Sequence, residues 1–200
     1  TSTTDTLGQT TTYTYNDYGQ TTSIKDPQGN TTYYSYDTYG NLNSVTDLSG
    51  GITHFNYDSK GNITRITNPH GGVTVYEYDP YNNIISITDP SGATTKFTYN
   101  SAGNMTNITD SQGNTTQFEY NSLNQLIKVI DQNGNITEYS YDSRGNKTSQ
   151  TDANGNTIYY EYNHNNKLTK VTDALGNVTT YTHGGTGCPS CGGGSDKLTA

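Results

Sequence analysis

Basic residues are scarce in this chain. Lys and Arg together number 10 of 200 residues, against 18 Asp plus Glu, and the formal net charge is −8. A protein that binds nucleic acid needs a basic surface to neutralise phosphates, so we expect no nucleic-acid partner. No apolar run approaches the length of a membrane-spanning helix, so we also expect no membrane span.

Aliphatic residues are also few. Hydrophobic residues make up 28% of the chain, a share that suggests disorder on composition alone. However, 17 of the 22 aromatic residues occupy two fixed columns of a repeat, and a disordered chain has no reason to keep such columns. One column is Tyr15, Tyr36, Tyr57, Tyr78, Tyr99, Tyr120, Tyr141 and Tyr162. The other lies two residues earlier and holds all three Phe: Tyr13, Tyr34, Phe55, Tyr76, Phe97, Phe118, Tyr139, Tyr160 and Tyr181.

The repeat has a period of 21 residues and runs without insertion from residue 5 to residue 183. Its most regular phrase is an Asp followed three residues later by Gly, with Asn68 in place of Asp once. The Asp positions are Asp5, Asp26, Asp47, Asp89, Asp110, Asp131, Asp152 and Asp173. Such spacing predicts an array of identical units, each of which mainly contacts its neighbours.

Each unit has the pattern of two strands. Residues 53–57 read T-H-F-N-Y and alternate between a Thr/Phe/Tyr face and a polar face, which is typical of a half-buried β-strand. The second strand, Leu42–Thr46, places Leu42 and Val45 three residues apart, which breaks the alternation. A β-bulge would realign them, but the pattern alone leaves this open.

Both turns of a unit read D-x-x-G. The Asp at the first position is expected to cap backbone amides, and the Gly at the fourth to adopt positive φ. In the second turn the fourth position is always Gly or Asn, the residues that tolerate the left-handed region: Gly19, Gly40, Gly61, Asn82, Gly103, Asn124, Gly145 and Asn166. Calcium binding is the alternative for the Asp columns, but each turn offers one carboxylate and Asn replaces several of them, which favours capping.

We therefore predict an all-β fold, in which tandem 21-residue β-hairpin repeats form a continuous antiparallel meander of roughly 16 to 18 strands about 4.8 Å apart. An open sheet this long does not stay flat and isolated. We expect it to curl into a spiral, tube or shell, or to cover its apolar face with another copy or with cargo.

The period breaks once, after residue 183. We assign residues 1–183 to an array of about eight full repeats that begins within a repeat, and residues 184–194 to a Gly-rich C-x-x-C insertion. Residues 196–200 resemble residues 166–170, so residues 195–200 are assigned to the start of a further repeat.

Cys188 and Cys191 are the two cysteines of the insertion. A structural disulfide or free thiols is the favoured interpretation. A zinc site with His183 as third ligand is an alternative, although a closed structural site needs four ligands. A thioredoxin-like redox motif would need a βαβ context that the pattern lacks. We predict no catalytic residue, no cofactor and no metal site, with Cys188, Cys191 and His183 as the metal-ligand candidates.

One repeat departs from the aliphatic pattern. Lys147 and Gln150 stand where other repeats have aliphatic pairs such as Leu42 and Val45. Because Lys and Gln bury less apolar surface than an aliphatic pair, we expect this repeat to be the least stable part of the array.

The unit G-N-x-x-x-V-T-D-x-x-G-N-x-T-x-Y-x-Y-D resembles the YD repeat of the Rhs family over about residues 4–183. That family includes Rhs and wall-associated polymorphic toxins, the shell of Tc toxins and teneurin-like proteins. The resemblance implies a β-hairpin ribbon that winds into a hollow shell around a toxic C-terminal domain.

These observations together predict a non-catalytic extracellular scaffold or filament, secreted or at the cell surface, for adhesion or surface assembly. The alternative is part of the encapsulating shell of an Rhs-type toxin. The expected partners are further copies or further repeats of the chain, an encapsulated C-terminal toxin domain, or surface glycans.

Overall fold

The protein is described by a computed structural model that covers residues 1–183 and the backbone of residues 198 and 199. The chain divides into two compact units, Thr1–Phe97 and Thr98–Ala200. All regular structure among the described residues is β-strand, with no helix. The predicted all-β class is therefore confirmed.

Unit 1 contains strands connected by short turns. They are β1 (Ser2–Thr4), β2 (Thr10–Tyr15), β3 (Thr21–Lys25), β4 (Thr31–Tyr36), β5 (Leu42–Thr46), β6 (Ile52–Tyr57), β7 (Ile63–Thr67), β8 (Val73–Tyr78), β9 (Ile84–Thr88) and the first part of β10 (Thr94–Tyr99). Each strand pairs antiparallel with the next one in the chain.

Unit 2 continues in the same way. Its strands are β11 (Met105–Thr109), β12 (Thr115–Tyr120), β13 (Leu126–Ile130), β14 (Ile136–Tyr141), β15 (Lys147–Thr151), β16 (Thr157–Tyr162), β17 (Leu168–Thr172), β18 (Val178–Thr180), β19 (Thr182–His183) and β20 (Leu198–Thr199). From β11 to β18, successive strands again pair antiparallel. The predicted meander of tandem hairpins is confirmed within each unit.

A β-bulge in alternate hairpins resolves the question of the aliphatic residues. Between β4 and β5, Tyr34 pairs with Val45 and Tyr36 pairs with Leu42, while Asn43 is passed over. The extra residue turns Leu42 onto the face that already carries Val45 and the two aromatic columns. The same register shift recurs in the corresponding hairpins of both units.

The Asp at the start of each turn organises a compact set of hydrogen bonds. At Asp110, Oδ1 accepts from the backbone amides of Gln112 and Asn114, both at 2.9 Å. Oδ2 accepts from the Asn114 side-chain amide at 2.8 Å. The Gly113 amide donates to the Asp110 carbonyl at 3.1 Å, and Gly113 has φ of 89°. The predicted Asp cap and left-handed Gly are thereby confirmed.

In two of the turns where Asn replaces Asp, the residue four positions later is Gln. Asn121 also accepts from two backbone amides through Oδ1, but its Nδ2 is a donor and gives a hydrogen bond to Gln125 Oε1 at 2.7 Å. Asn16 and Gln20 form the same pair at 2.9 Å. An Asp–Asn pair and an Asn–Gln pair thus satisfy the same turn with donor and acceptor reversed.

The alternation of Gly and Asn in the second turn also follows from backbone geometry. Asn82, Asn124 and Asn166 have φ of 69°, 61° and 59°, in the left-handed region that Gly occupies in the other repeats. Each of these Asn side chains accepts a hydrogen bond from the Asn 20 residues earlier, as Asn82 does from Asn62 at 3.0 Å. This contact between repeats gives Asn a role that Gly cannot fill.

We predict that the array is progressively destabilised as the pH falls below 3.8. The hydrogen bond from the Asn114 side chain, with those from backbone amides, lowers the pKa of Asp110 below its ordinary value of 3.8, although partial desolvation opposes it. The pKa of Asp26, Asp131 and Asp173 is lowered in the same way. A lowered folded-state pKa gives stability that is present above pH 3.8 and disappears as the pH falls through the folded-state pKa.

The matched variant is Asp110→Asn with Asn114→Gln, which copies the native pair of Asn121 and Gln125. It keeps the turn but removes one titrating carboxylate, so its thermal midpoint is expected to fall less between pH 5 and pH 3 than that of the parent chain. An unchanged acid dependence would show that the caps do not control acid stability.

Candidate functional site

The apolar face of the sheet is the main candidate for a functional surface. It carries both aromatic columns together with the aliphatic residues that the bulges turn towards them, as Tyr34, Tyr36, Leu42 and Val45 do in β4 and β5. None of the described hydrophobic residues is buried, and Ser86, a polar residue that is 8% exposed, is the one buried residue in the described part of the chain. Within each unit, the described residues form a sheet with a half-buried apolar face and no buried hydrophobic core, which is incomplete as a domain.

Hydroxyl groups of the Tyr15–Tyr162 column make a contact that the sequence analysis missed. Tyr57 donates to the backbone carbonyl of Leu42 at 2.8 Å, and Tyr78 donates to that of Ile63 at 2.7 Å. Tyr36 and Tyr141 make the same bond to the residue 15 positions earlier. Burial raises the pKa of Tyr57 and Tyr78, with nearby charges adding to it, so both hydroxyls stay protonated donors.

The accepting carbonyls belong to the residues that come immediately before the bulged positions. Leu42 pairs with Tyr36 across the bulge. The Leu42 carbonyl accepts the hydrogen bond from the hydroxyl of Tyr57 on the neighbouring strand. Each of these four tyrosines thus joins its hairpin to the one before it. The sequence contains one sign of this bond. All three Phe fall in the other aromatic column, and Phe lacks the hydroxyl that the bond requires.

His183 takes the ninth place in this tyrosine column. Its Nε2 lies 2.6 Å from the Leu168 carbonyl, 15 residues earlier, where a Tyr hydroxyl would donate. The backbone of His183 also pairs with that of Leu198, as Tyr162 pairs with Leu168 in the repeat before it. Cys188 and Cys191, the other metal-ligand candidates, lie outside the described residues. The described contact of His183 is therefore a structural one made within the array.

Lys147 and Gln150 lie on the apolar face, opposite Tyr141 and Tyr139. The Lys147 ammonium is 4.7 Å from the ring centroid of Tyr160 and 5.6 Å from that of Tyr139. It also donates to Gln150 Oε1 at 3.0 Å. These contacts offset part of the loss of apolar surface, which the sequence analysis did not foresee.

Other charged groups of the described residues form cross-strand ion pairs and do not assemble into a metal-binding cluster. Glu161 and Lys170 form a cross-strand ion pair at 2.9 Å, and Glu119 and Lys128 form one at 3.7 Å, all on partly exposed side chains. Within residues 1–183 and 198–199, no three His, Cys, Asp or Glu side chains converge on a point that could hold a metal ion. Nor does this part of the chain contain a helix that could span a membrane.

Comparison with known proteins gives consistent results. A family model described as the teneurin YD-shell matches residues 2–138, which is more than half of the chain. A second model, the RHS repeat, matches residues 120–157 and 162–187. No curated protein sequence matches the chain.

Solved structures of Tc toxin proteins share the fold. The crystal structure of TcdB2-TccC3-TEV superposes with a TM-score of 0.66 at 16% identity, over 84% of this chain and 11% of that one. The Photorhabdus luminescens Tc holotoxin pore with the TccC3-D651A mutation gives a TM-score of 0.60 at 18% identity, over 82% of this chain and 12% of that one. The present chain thus spans about a tenth of the length of these structures.

We predict that Tyr78→Phe destabilises the array by about 1 kcal/mol, because the Ile63 carbonyl loses its donor while packing is nearly unchanged. Tyr39→Phe is the matched control, since Tyr39 is 88% exposed at a turn. Urea unfolding followed by circular dichroism measures both. Equal effects of the two substitutions would contradict the role given to the column.

We also predict that Lys147→Leu with Gln150→Val stabilises unit 2. Exposed cation–π contacts contribute about 0.5–1 kcal/mol, whereas a fully buried aliphatic side chain contributes about 1.5–3 kcal/mol. On a half-buried face the net gain should be about 1 kcal/mol. In the parent chain, we expect amide exchange to be faster around residues 147–151 than around residues 84–88. In the variant, exchange around residues 147–151 should slow and this difference should disappear. A lower thermal midpoint of the variant would show that the polar contacts are worth more.

Proposed function

The chain belongs to the teneurin YD-shell family, and we propose that it is a stretch of wall in a non-catalytic extracellular assembly. A shell or scaffold role has the support of the family and of the structural neighbours. The observation that carries the proposal is the uncovered apolar face: no described hydrophobic residue is buried, although two aromatic columns run along the sheet. A wall segment has this property because its inner face is completed by what it encloses or by further wall.

Two forms of this role remain distinct. The first is a secreted or surface-attached scaffold or filament used in adhesion or surface assembly. The second is a part of the shell of an Rhs-type toxin, for which the fold shared with Tc toxin structures provides the motive. A domain of different composition after the repeats in the full-length gene product would support the toxin shell, and further repeats would support the scaffold.

The proposed partners follow from the edge strands, the apolar face and the exposed Tyr rings. Further repeats, or further copies of the chain, would pair with the edge strands and extend the wall. An enclosed domain would cover the Tyr and Phe columns. Surface glycans are a third proposed partner, since exposed Tyr rings suit sugar rings. The RHS and YD-shell families are structural, so we assign no reaction to the chain.

We predict that the isolated chain self-associates at micromolar concentration, because among the described residues the apolar face has no buried hydrophobic side chain and β1 and β18 each pair with one strand of the sheet. Light scattering and electron microscopy are expected to show a tube, spiral or fibre. Phe55→Ser with Tyr76→Ser on the apolar face should reduce association, whereas Tyr33→Ser, at a 55% exposed position outside the two aromatic columns, should not. A compact monomer whose aromatic columns are protected from solvent would overturn the proposal.

A further inference from the structure

Three tyrosines stand nearly free in solvent at one edge of unit 1. Tyr18, Tyr39 and Tyr81 are 90%, 88% and 85% exposed. Each occupies the third position of a turn that joins an even-numbered strand to the next odd-numbered one, so all three lie on the same edge of the meander. They lie outside the two aromatic columns, and the fold does not account for them.

The turns themselves have no need of an aromatic residue. The same third position is filled elsewhere by residues of very different size and charge, namely Lys60, Ala102, Leu123, Arg144 and Asn165. The turn is held instead by its capping Asp or Asn and by the residue with positive φ. Exposed Tyr on a hydrogen-bonded turn, among Gly, Asn, Ser and Thr, is the composition of a recognition surface.

Grooves lie between three successive turns of this edge, those of Tyr18, Tyr39 and Lys60. A groove of about 760 Å³ lies between the turns of Tyr18 and Tyr39 and is lined also by Gln20 and Asp37. A second groove of about 590 Å³ lies between the turns of Tyr39 and Lys60. The two grooves follow one another along the edge and share Tyr39, so they form a rail rather than a closed pocket.

Hydrogen bonds between neighbouring turns hold this rail in place. Gln20 Nε2 donates to the Gly40 carbonyl at 2.8 Å, and Asn62 Nδ2 donates to Asn82 Oδ1 at 3.0 Å. Lys60 Nζ donates to the Pro80 carbonyl at 2.8 Å. A preorganised surface loses little conformational freedom when it binds.

The charge of the rail selects a cationic ligand. Every turn of the edge carries a carboxylate, contributed by Asp17, Asp37, Asp58 and Asp79, while Lys60 supplies the one cation of these four turns. Tyr rings beside carboxylates favour Arg or Lys side chains, which stack on the ring faces and pair with the acids. The Lys147 ammonium over the Tyr160 ring shows this contact inside the same protein.

The spacing of the rail selects the shape of the ligand. Successive turns are two strands apart, or about 9.6 Å. A polyproline II helix advances about 9.3 Å in each turn of three residues and so presents every third side chain on one side. Proline-rich segments of this kind dock in aromatic-lined grooves at little entropic cost. We propose that this edge binds an extended proline-rich peptide segment with Arg or Lys at every third position.

The test uses the full 200-residue chain and a fluorescent synthetic peptide of repeated Pro-Pro-Arg, with binding followed by fluorescence anisotropy. Tyr18→Ala with Tyr39→Ala and Tyr81→Ala should weaken binding on the order of tenfold or more, because three cation–π contacts are lost. Lys60→Tyr should tighten it by several-fold, since it removes the like charge and completes the row of rings. Added salt should weaken binding in all variants.

Leu7→Ala with Leu48→Ala is the matched control, because both leucines are exposed at turns of the opposite edge of unit 1. It should leave the affinity unchanged, and circular dichroism should show all variants folded. Equal affinity for Pro-Pro-Glu or Gly-Gly-Arg peptides would overturn the proposal, as would tight binding by the triple variant. So would binding of a neutral β-glucan, and not of the peptide, at the three tyrosines.

Discussion

The Asp-centred turn is the interaction on which the rest of the structure depends. No described hydrophobic residue is buried, so the sheet cannot take its order from a packed core as most domains do. Its order is instead local. One carboxylate, as in Asp110, satisfies two backbone amides and one side-chain amide, and the turn it closes sets the register of the two strands beside it. Repetition of this unit along each half of the chain gives an array in which neighbouring hairpins are the main source of stability.

A second set of contacts joins one hairpin to the next. The Tyr57 hydroxyl donates a hydrogen bond to the Leu42 carbonyl, and the Asn62 side-chain amide donates one to Asn82 Oδ1 at the edge formed by the turns. These bonds connect residues 15 and 20 positions apart, which is less than one 21-residue repeat. They allow a single layer to keep its order while its apolar face stays available, and a wall of a shell or scaffold needs both properties.

The sequence predicted what is local and missed what depends on neighbouring strands. The strands, the Asp caps and the left-handed Gly or Asn were all predictable, because each is decided within five residues, as at Asp110 and Gly113. The bulge at Asn43 was only suspected, since its effect is visible only when Tyr36 is paired with Leu42. The bond from Tyr78 to Ile63 and the rings around Lys147 could not be derived, because both require knowing which side chains share a face across two strands.

The central claim is that the aromatic face is open in this segment and is covered in the complete assembly. Hydroxyl-radical labelling of tyrosine and phenylalanine, read by mass spectrometry, tests it most directly. In a dilute monomeric sample of the chain, the partly exposed side chains of Phe55 and Tyr76 should be labelled, and in the full-length protein they should be protected, while Tyr33, outside the aromatic columns and 55% exposed, is labelled in both. Protection of Phe55 and Tyr76 already in the isolated monomer would contradict the account, because it would mean that the array covers its own face.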